Sequence, residues 1–307
     1  MHLVGFLFVL RVLGMGKFSD LLERVLPGDT PGPPENERLK SPRDALFKRP
    51  EPILPRPRAL EPEQVLKTGF GFKHRPPNKL FLAGRQDGNI EASFAAEQFK
   101  VLCSQVLFPL ERKPARKVMV TSAIPGEGKT MVAVNLAASI ALGGRQHVFL
   151  IECDLRKPSV AKFFGLDDSR GLVDLLTQRD ELQNLLVTPS VENLTLLPAG
   201  RRTAQAFELL SSPRMKGLLE QVENRYEGSY IILDSSPTHI APETSVLGQL
   251  MEGVVLVARY GMSSRKVIQE AVGKIGKDKF LGVVFNDFRG VYTNKYYYHY
   301  YGKEQKA

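Results

Sequence analysis

A strand-like run of six residues, KVMVTS at 117–122, passes directly into AIPGEGKT and then into the helical pattern MVAVNLAASIAL. Few chains can do this. A strand that turns through two glycines straight into a helix commits the chain to layering helices on a sheet. Five further runs have the same character: HVFLIE (147–152), NLTLLP (193–198), SYIILD (229–234), GVVLVA (253–258) and FLGVVF (280–285). They are continuous and rich in Val, Ile and Leu rather than alternating with polar residues, as strands buried on both faces of a parallel sheet must be. Helical patterns over 91–107, 128–143, 207–224, 243–252 and 264–277 lie before and between them. The expected fold is α/β, a mostly parallel sheet flanked by helices. Ligands of such sheets bind at the carboxyl ends of the strands.

Three motifs fall at those ends. Residues Ala123–Thr130 fit A/G-x-x-x-x-G-K-S/T, the phosphate-binding P-loop. Gly126 and Gly128 let backbone N–H groups approach phosphates, and the helix start adds positive potential. Lys129 reaches the β- and γ-phosphates, and the Thr130 hydroxyl is placed to ligate Mg²⁺. The second motif, LIECDLRKPS, alternates Glu152, Asp154 and Arg156, a set able to order water around Mg²⁺ and orient an attacking hydroxyl. The third, YIILDSSPT, ends its strand on Asp234, where a Walker-B acid meets the metal, and Pro237 shapes the exit. Each has a bland reading by itself: a glycine turn, a surface ion pair, a strand that happens to end in an acid. In chain order, each at a strand's carboxyl end, they point to ATP and Mg²⁺.

The flanks read differently. Residues 1–25 form an N-terminal segment whose run Leu3–Leu10 is far short of the roughly 20 apolar residues a spanning helix needs. Nor does it have a secretory signal's charged start and cleavage site. MGKFSDLLERV offers Met15 as an alternative start. Residues 26–88 hold twelve of the 21 prolines, between Pro27 and Pro77, and are expected to be a disordered linker. The P-loop domain is expected over 89–290. The last segment, 291–307, carries six of the nine tyrosines: Tyr292, Tyr296, Tyr297, Tyr298, Tyr300 and Tyr301. With almost no aliphatic residues it is expected to be mobile, and beside an ATP site a row of phenols suits phosphoryl acceptance. An aromatic edge or a single-stranded nucleic-acid platform is the competing use. Composition narrows the classes further. The net charge of +9 permits anionic lipid or nucleic acid but requires neither. Cys103 and Cys153, 50 residues apart, exclude a disulfide scaffold and a zinc ribbon and suit a reducing cytoplasm.

Over residues 90–301 the chain resembles the bacterial tyrosine kinases of capsular and exopolysaccharide synthesis. The residues that carry the likeness are Pro125–Thr130, the Glu152/Asp154/Arg156 strand end, Asp234 with Pro237, and the tyrosine cluster. The resemblance implies a P-loop autokinase that moves phosphoryl groups from ATP to its own tail tyrosines, largely between neighbouring subunits. It implies an ATP cradle of Pro125, Gly126, Glu127, Gly128, Lys129, Thr130 and Met131, with Arg156 and the base-contacting Asn286. Mg²⁺ would be held by Thr130, Asp154 and Asp234. Lys129, Glu152, Asp154 and Asp234 would be catalytic, with Glu152 activating the tyrosine hydroxyl in a position the family fills with Asp. The family's E-x-x-R-x-x-R assembly helix reads here as Glu97, Lys100 and Cys103, so a homo-oligomer built through that helix is in doubt. The resemblance also implies a separate membrane-spanning activator, a cognate phosphatase, and a cytoplasmic location peripheral to the inner membrane face. Two alternatives stay open: a partition or septum-site ATPase, and a catalytically weak ATP-binding regulator of export. The first expects a signature lysine where this chain has Ile124. Nucleic acid as a partner has only the net charge behind it.

Overall fold

The computed structural model describes residues 6–10, 90–109, 113–144 and 146–288, and the proline-rich linker and the tyrosine tail lie outside these. Seven strands make one sheet: β1 (Phe6–Leu10), β2 (Lys117–Ser122), β3 (Val148–Glu152), β4 (Leu194–Leu197), β5 (Tyr230–Asp234), β6 (Gly253–Arg259) and β7 (Phe280–Phe288). Their order is β1-β7-β6-β2-β5-β3-β4. Every neighbouring pair runs parallel except β1 against β7. The mostly parallel α/β sheet expected from the apolar runs is the observed one. The apolar run near the N-terminus is the addition, because Phe6–Leu10 supplies an antiparallel edge strand that the sequence reading did not assign.

Alternate residues of the inner strands feed two cores, one on each face. Val118, Val120, Leu150 and Ile232 face one layer, while Met119, Ile151, Ile231 and Leu233 face the other. The first layer is closed by α1 (Ile90–Leu107) and α2 (Lys129–Gly144), with Phe99, Leu102, Leu136 and Ile140 fully or almost fully buried. The opposite layer holds α6 (Ala206–Leu210), α7 (Pro213–Arg225), α8 (Glu243–Leu250) and α9 (Arg265–Ile275). Between β3 and β4 run three short helices, α3 (Val160–Phe163), α4 (Leu172–Leu176) and α5 (Leu182–Leu185), each too brief for its period to show in the sequence.

The pattern at 207–224 reads as one helix but forms two. Pro213 has no N–H to donate back into α6, and it opens α7 at the first helical position, where none is required. Cys103 of α1 packs inward, its thiol 3.9 Å from the Leu136 carbonyl, and burial pushes the thiol up to about 12. Glu97 and Lys100 pair with each other at 2.5 Å on the solvent side. Glu97, Lys100 and Cys103 therefore do not present one polar face.

Candidate active site

Register brings the motifs together. Asp234 at the end of β5 lies beside Glu152 of β3 and Val120 of β2. The chain after β2 must then turn tightly into α2, and it does so with Gly126 at φ 88° and Gly128 at φ 96°. Both values lie in the left-handed region that only glycine enters cheaply. Gly128 is excluded from change a second way, since a Cβ there would fall 2.1 Å from the Asn286 amide nitrogen. The first turn of α2 has no acidic residue of its own, so its free N–H groups and the positive end of its dipole face the cradle.

Lys129 is the centre of the charge cluster. Its Nζ lies 2.8 Å from Asp154 Oδ2 and 3.9 Å from Asp234 Oδ1. Burial works against the ammonium, but Asp234 and Asp154 outweigh it, and Lys129 is held above its ordinary value. The Thr130 hydroxyl donates to Asp234 Oδ2 at 2.6 Å, and Ser159 Oγ donates to Thr130 at 3.1 Å. Asp154 Oδ1 accepts from Ser236 Oγ at 2.9 Å and from the Lys157 N–H at 3.1 Å. Asp234 is fully buried, and desolvation raises its carboxyl despite Lys129 and Thr130.

Glu152 and Asp154 part company here. Glu152 is completely buried, and its Oε1 accepts from the backbone N–H groups of Ser159 and, at 2.6 Å, Val160. Oε2 faces the Ala199 N–H at 3.4 Å. Burial raises this carboxyl to about 7, against the pull of those N–H groups. In this geometry Glu152 fastens the loops after β3 and β4, and Asp154 is the strand-end acid that meets Lys129. Arg156 pairs with a different acid. Its Nε donates to Glu243 Oε1 at 2.9 Å, at the start of α8.

The remaining expected residues divide the same way. Pro125 is exposed at the loop tip, and Met131 packs against the core beneath α2. Asn286 spends its amide on the cradle itself, donating to the Glu127 carbonyl at 2.9 Å and accepting from the Asp287 N–H at 3.0 Å. Ser159, Ser236 and Glu243 were not singled out in the sequence. The two serines of SSPT stood beside a candidate acid, but nothing local distinguishes a ligand-holding hydroxyl from a turn residue.

The donors fit Mg²⁺. Asp234 Oδ1 is buried with no hydrogen-bond partner, 3.9 Å from Lys129 Nζ, on the carboxylate whose other oxygen accepts from Thr130. Among the described residues no group of three or more His, Cys, Asp or Glu could hold a metal by itself. Mg²⁺ suits that arrangement, because it keeps waters and takes substrate phosphates alongside one or two carboxylates.

Comparison with known proteins places this site in context. The family described as an AAA domain matches residues 115–248. Tyrosine-protein kinase YwqD of Bacillus subtilis is 32% identical over 196 residues, covering 63% of this chain and 81% of that protein. Tyrosine-protein kinase CpsD of Streptococcus pneumoniae is 30% identical over 219 residues, covering 68% of this chain and 93% of that one. The solved kinase domain of Escherichia coli tyrosine kinase ETK superposes with a TM-score of 0.59 at 27% identity, over 63% of this chain and 75% of that domain.

Proposed function

The chain belongs to the bacterial tyrosine-protein kinases, and from that premise we propose that it is an autokinase of its own C-terminal tyrosines. The substrate pair is ATP and the phenols of Tyr292, Tyr296, Tyr297, Tyr298, Tyr300 and Tyr301. The observation that carries the reading is the convergence of Lys129, Thr130, Asp154 and Asp234 from three strand ends within hydrogen-bonding or ion-pair reach.

In this reading the cradle N–H groups and Lys129 hold the phosphates, and Thr130, Asp154 and Asp234 hold Mg²⁺. The metal supplies neutralisation of charge on the phosphoryl oxygens. The phenolic oxygen bonds to the γ-phosphorus as the bond to the β–γ bridging oxygen breaks, leaving ADP. The phenolic proton leaves to solvent, because Asp154 is held by Lys129, Ser236 and the metal. Glu152 positions the Ser159–Val160 loop instead of acting as base.

Among the described residues no helix is long and apolar enough to cross a membrane. The reading also includes, from the family likeness, a separate membrane-spanning activator, a cognate phosphatase, attachment to the inner membrane face, and control of capsule or exopolysaccharide polymerisation and export. A second reading is favoured by one observation. With Glu152 engaged by three backbone N–H groups and Arg156 paired to Glu243, the chain fits a weak kinase that regulates export mainly by binding ATP.

The test is intact-mass analysis after incubation with ATP and Mg²⁺, beside Lys129→Ala. Additions of about 80 Da each, mapped to Tyr292–Tyr301 and lost in the variant, support the autokinase. ATP binding without phosphotyrosine, even with an added activator, supports the regulator instead.

A further inference from the structure

Glu127 stands between the two glycines of the cradle, and its side chain is fully buried. All its partners donate. Oε2 accepts from the N–H groups of Ala123 at 2.9 Å and Ile124 at 3.0 Å, inside the same loop. Oε1 reaches across to the end of β6, accepting from the Arg259 N–H at 3.2 Å and the Ser263 hydroxyl at 2.7 Å. Met262 from that second loop sits over Gly126, its Cε 3.7 Å from where a Cβ would stand.

The physical consequence concerns the cradle's shape. Gly126 and Gly128 carry no side chains to fix their backbone, so a free loop would sample many conformations. A buried anion must be surrounded by donors, and here the donors come from two loops at once. We propose that Glu127 is a positioning residue that locks the phosphate cradle to the Arg259–Ser263 loop, so that ATP affinity depends on a loop 132 to 136 residues away in sequence. The proposal rests on the reading of the cradle as an ATP site. It assigns Glu127 a role beyond the ATP contact expected from the motif.

Ser263→Ala is the informative variant, because it removes one donor to Glu127 and leaves every cradle residue intact. Affinity for a fluorescent ATP analogue is measured with Mg²⁺ for the wild type, Ser263→Ala, Glu127→Gln and the double variant, with melting temperatures alongside. Hydrogen bonds to a charged group are worth enough to predict roughly tenfold weaker binding for Ser263→Ala and about 100-fold for Glu127→Gln. The double variant is expected within about twofold of Glu127→Gln alone, since both act through one network. Ser263→Ala binding like the wild type, while the wild type binds well, overturns the proposal and leaves the ATP reading standing. A wild type that does not bind the analogue overturns both. If Glu127→Gln fails to fold, Ser263→Ala still decides.

Discussion

Glu152 occupies the position that the family resemblance marks as an activating acid, and its surroundings give it other work. Three backbone N–H groups, of Ser159, Val160 and Ala199, converge on one carboxyl that has no solvent contact. Removing such an acceptor strands buried donors, at about 1–3 kcal/mol for each group left unpaired. Glu152→Ala is therefore expected to lower the urea midpoint by an amount corresponding to about 3 kcal/mol. Glu152→Asp draws the carboxylate back by about an ångström from N–H groups it must reach, a displacement large on the scale of catalytic geometry. It is expected to reduce stability without raising the autophosphorylation rate. A large gain in rate would return Glu152 to the role of base. Asp154 was legible as a candidate from the strand-end pattern, but the division of labour between the two acids was not, because both sit at the same period-two face and the donors to Glu152 come from 7, 8 and 47 residues away.

At the scale of elements, β3 and β4 are joined at their starts by His147, whose Nε2 lies 2.8 Å from Thr195 Oγ1. The ring packs on Phe149 at 4.9 Å and Tyr226 at 6.3 Å between centroids. Burial holds this imidazole below its ordinary 6.5, so the folded protein favours the neutral ring. That contribution is present above pH 6.5 and is lost as pH falls through the ring's lower folded value. The wild type is expected to lose more stability between pH 7.5 and 5.5 than His147→Gln, read as a difference in urea midpoints. Equal losses would assign the pH dependence elsewhere. Element existence was largely readable, since continuous Val/Ile/Leu runs and long periodic segments carry strong signals. The break at Pro213 and the short helices α3, α4 and α5 were not, because four- and five-residue helices are held by tertiary contacts rather than by their own period.

At the scale of the whole molecule, β1 closes one side of the sheet by pairing Phe8 with Phe285 and Val9 with Val284. A chain begun at Met15 lacks that strand and leaves the outer edge of β7 bare, an apolar template for a second chain. Such a variant is expected to associate in a concentration-dependent way by light scattering, where the full chain does not through this edge. A variant of unchanged mass at all concentrations would show that β1 is dispensable as a cover.

The residues alone determined the sheet's parallel character and the P-loop. Continuous apolar runs are needed wherever both faces are covered, and a glycine cradle before a lysine leaves few other uses. They also marked Glu127, Glu152, Asp154 and Asp234, though not Glu243. What only the tertiary structure decided is which of those groups face one another. Asp234 meets Lys129 and Thr130 because β5 lies beside β2, and Glu127 meets Ser263 because β6 lies on β2's other side. Strand order is set by packing helices onto both faces and is not written in any one strand, so the partners of a buried charge appear only when the sheet is assembled.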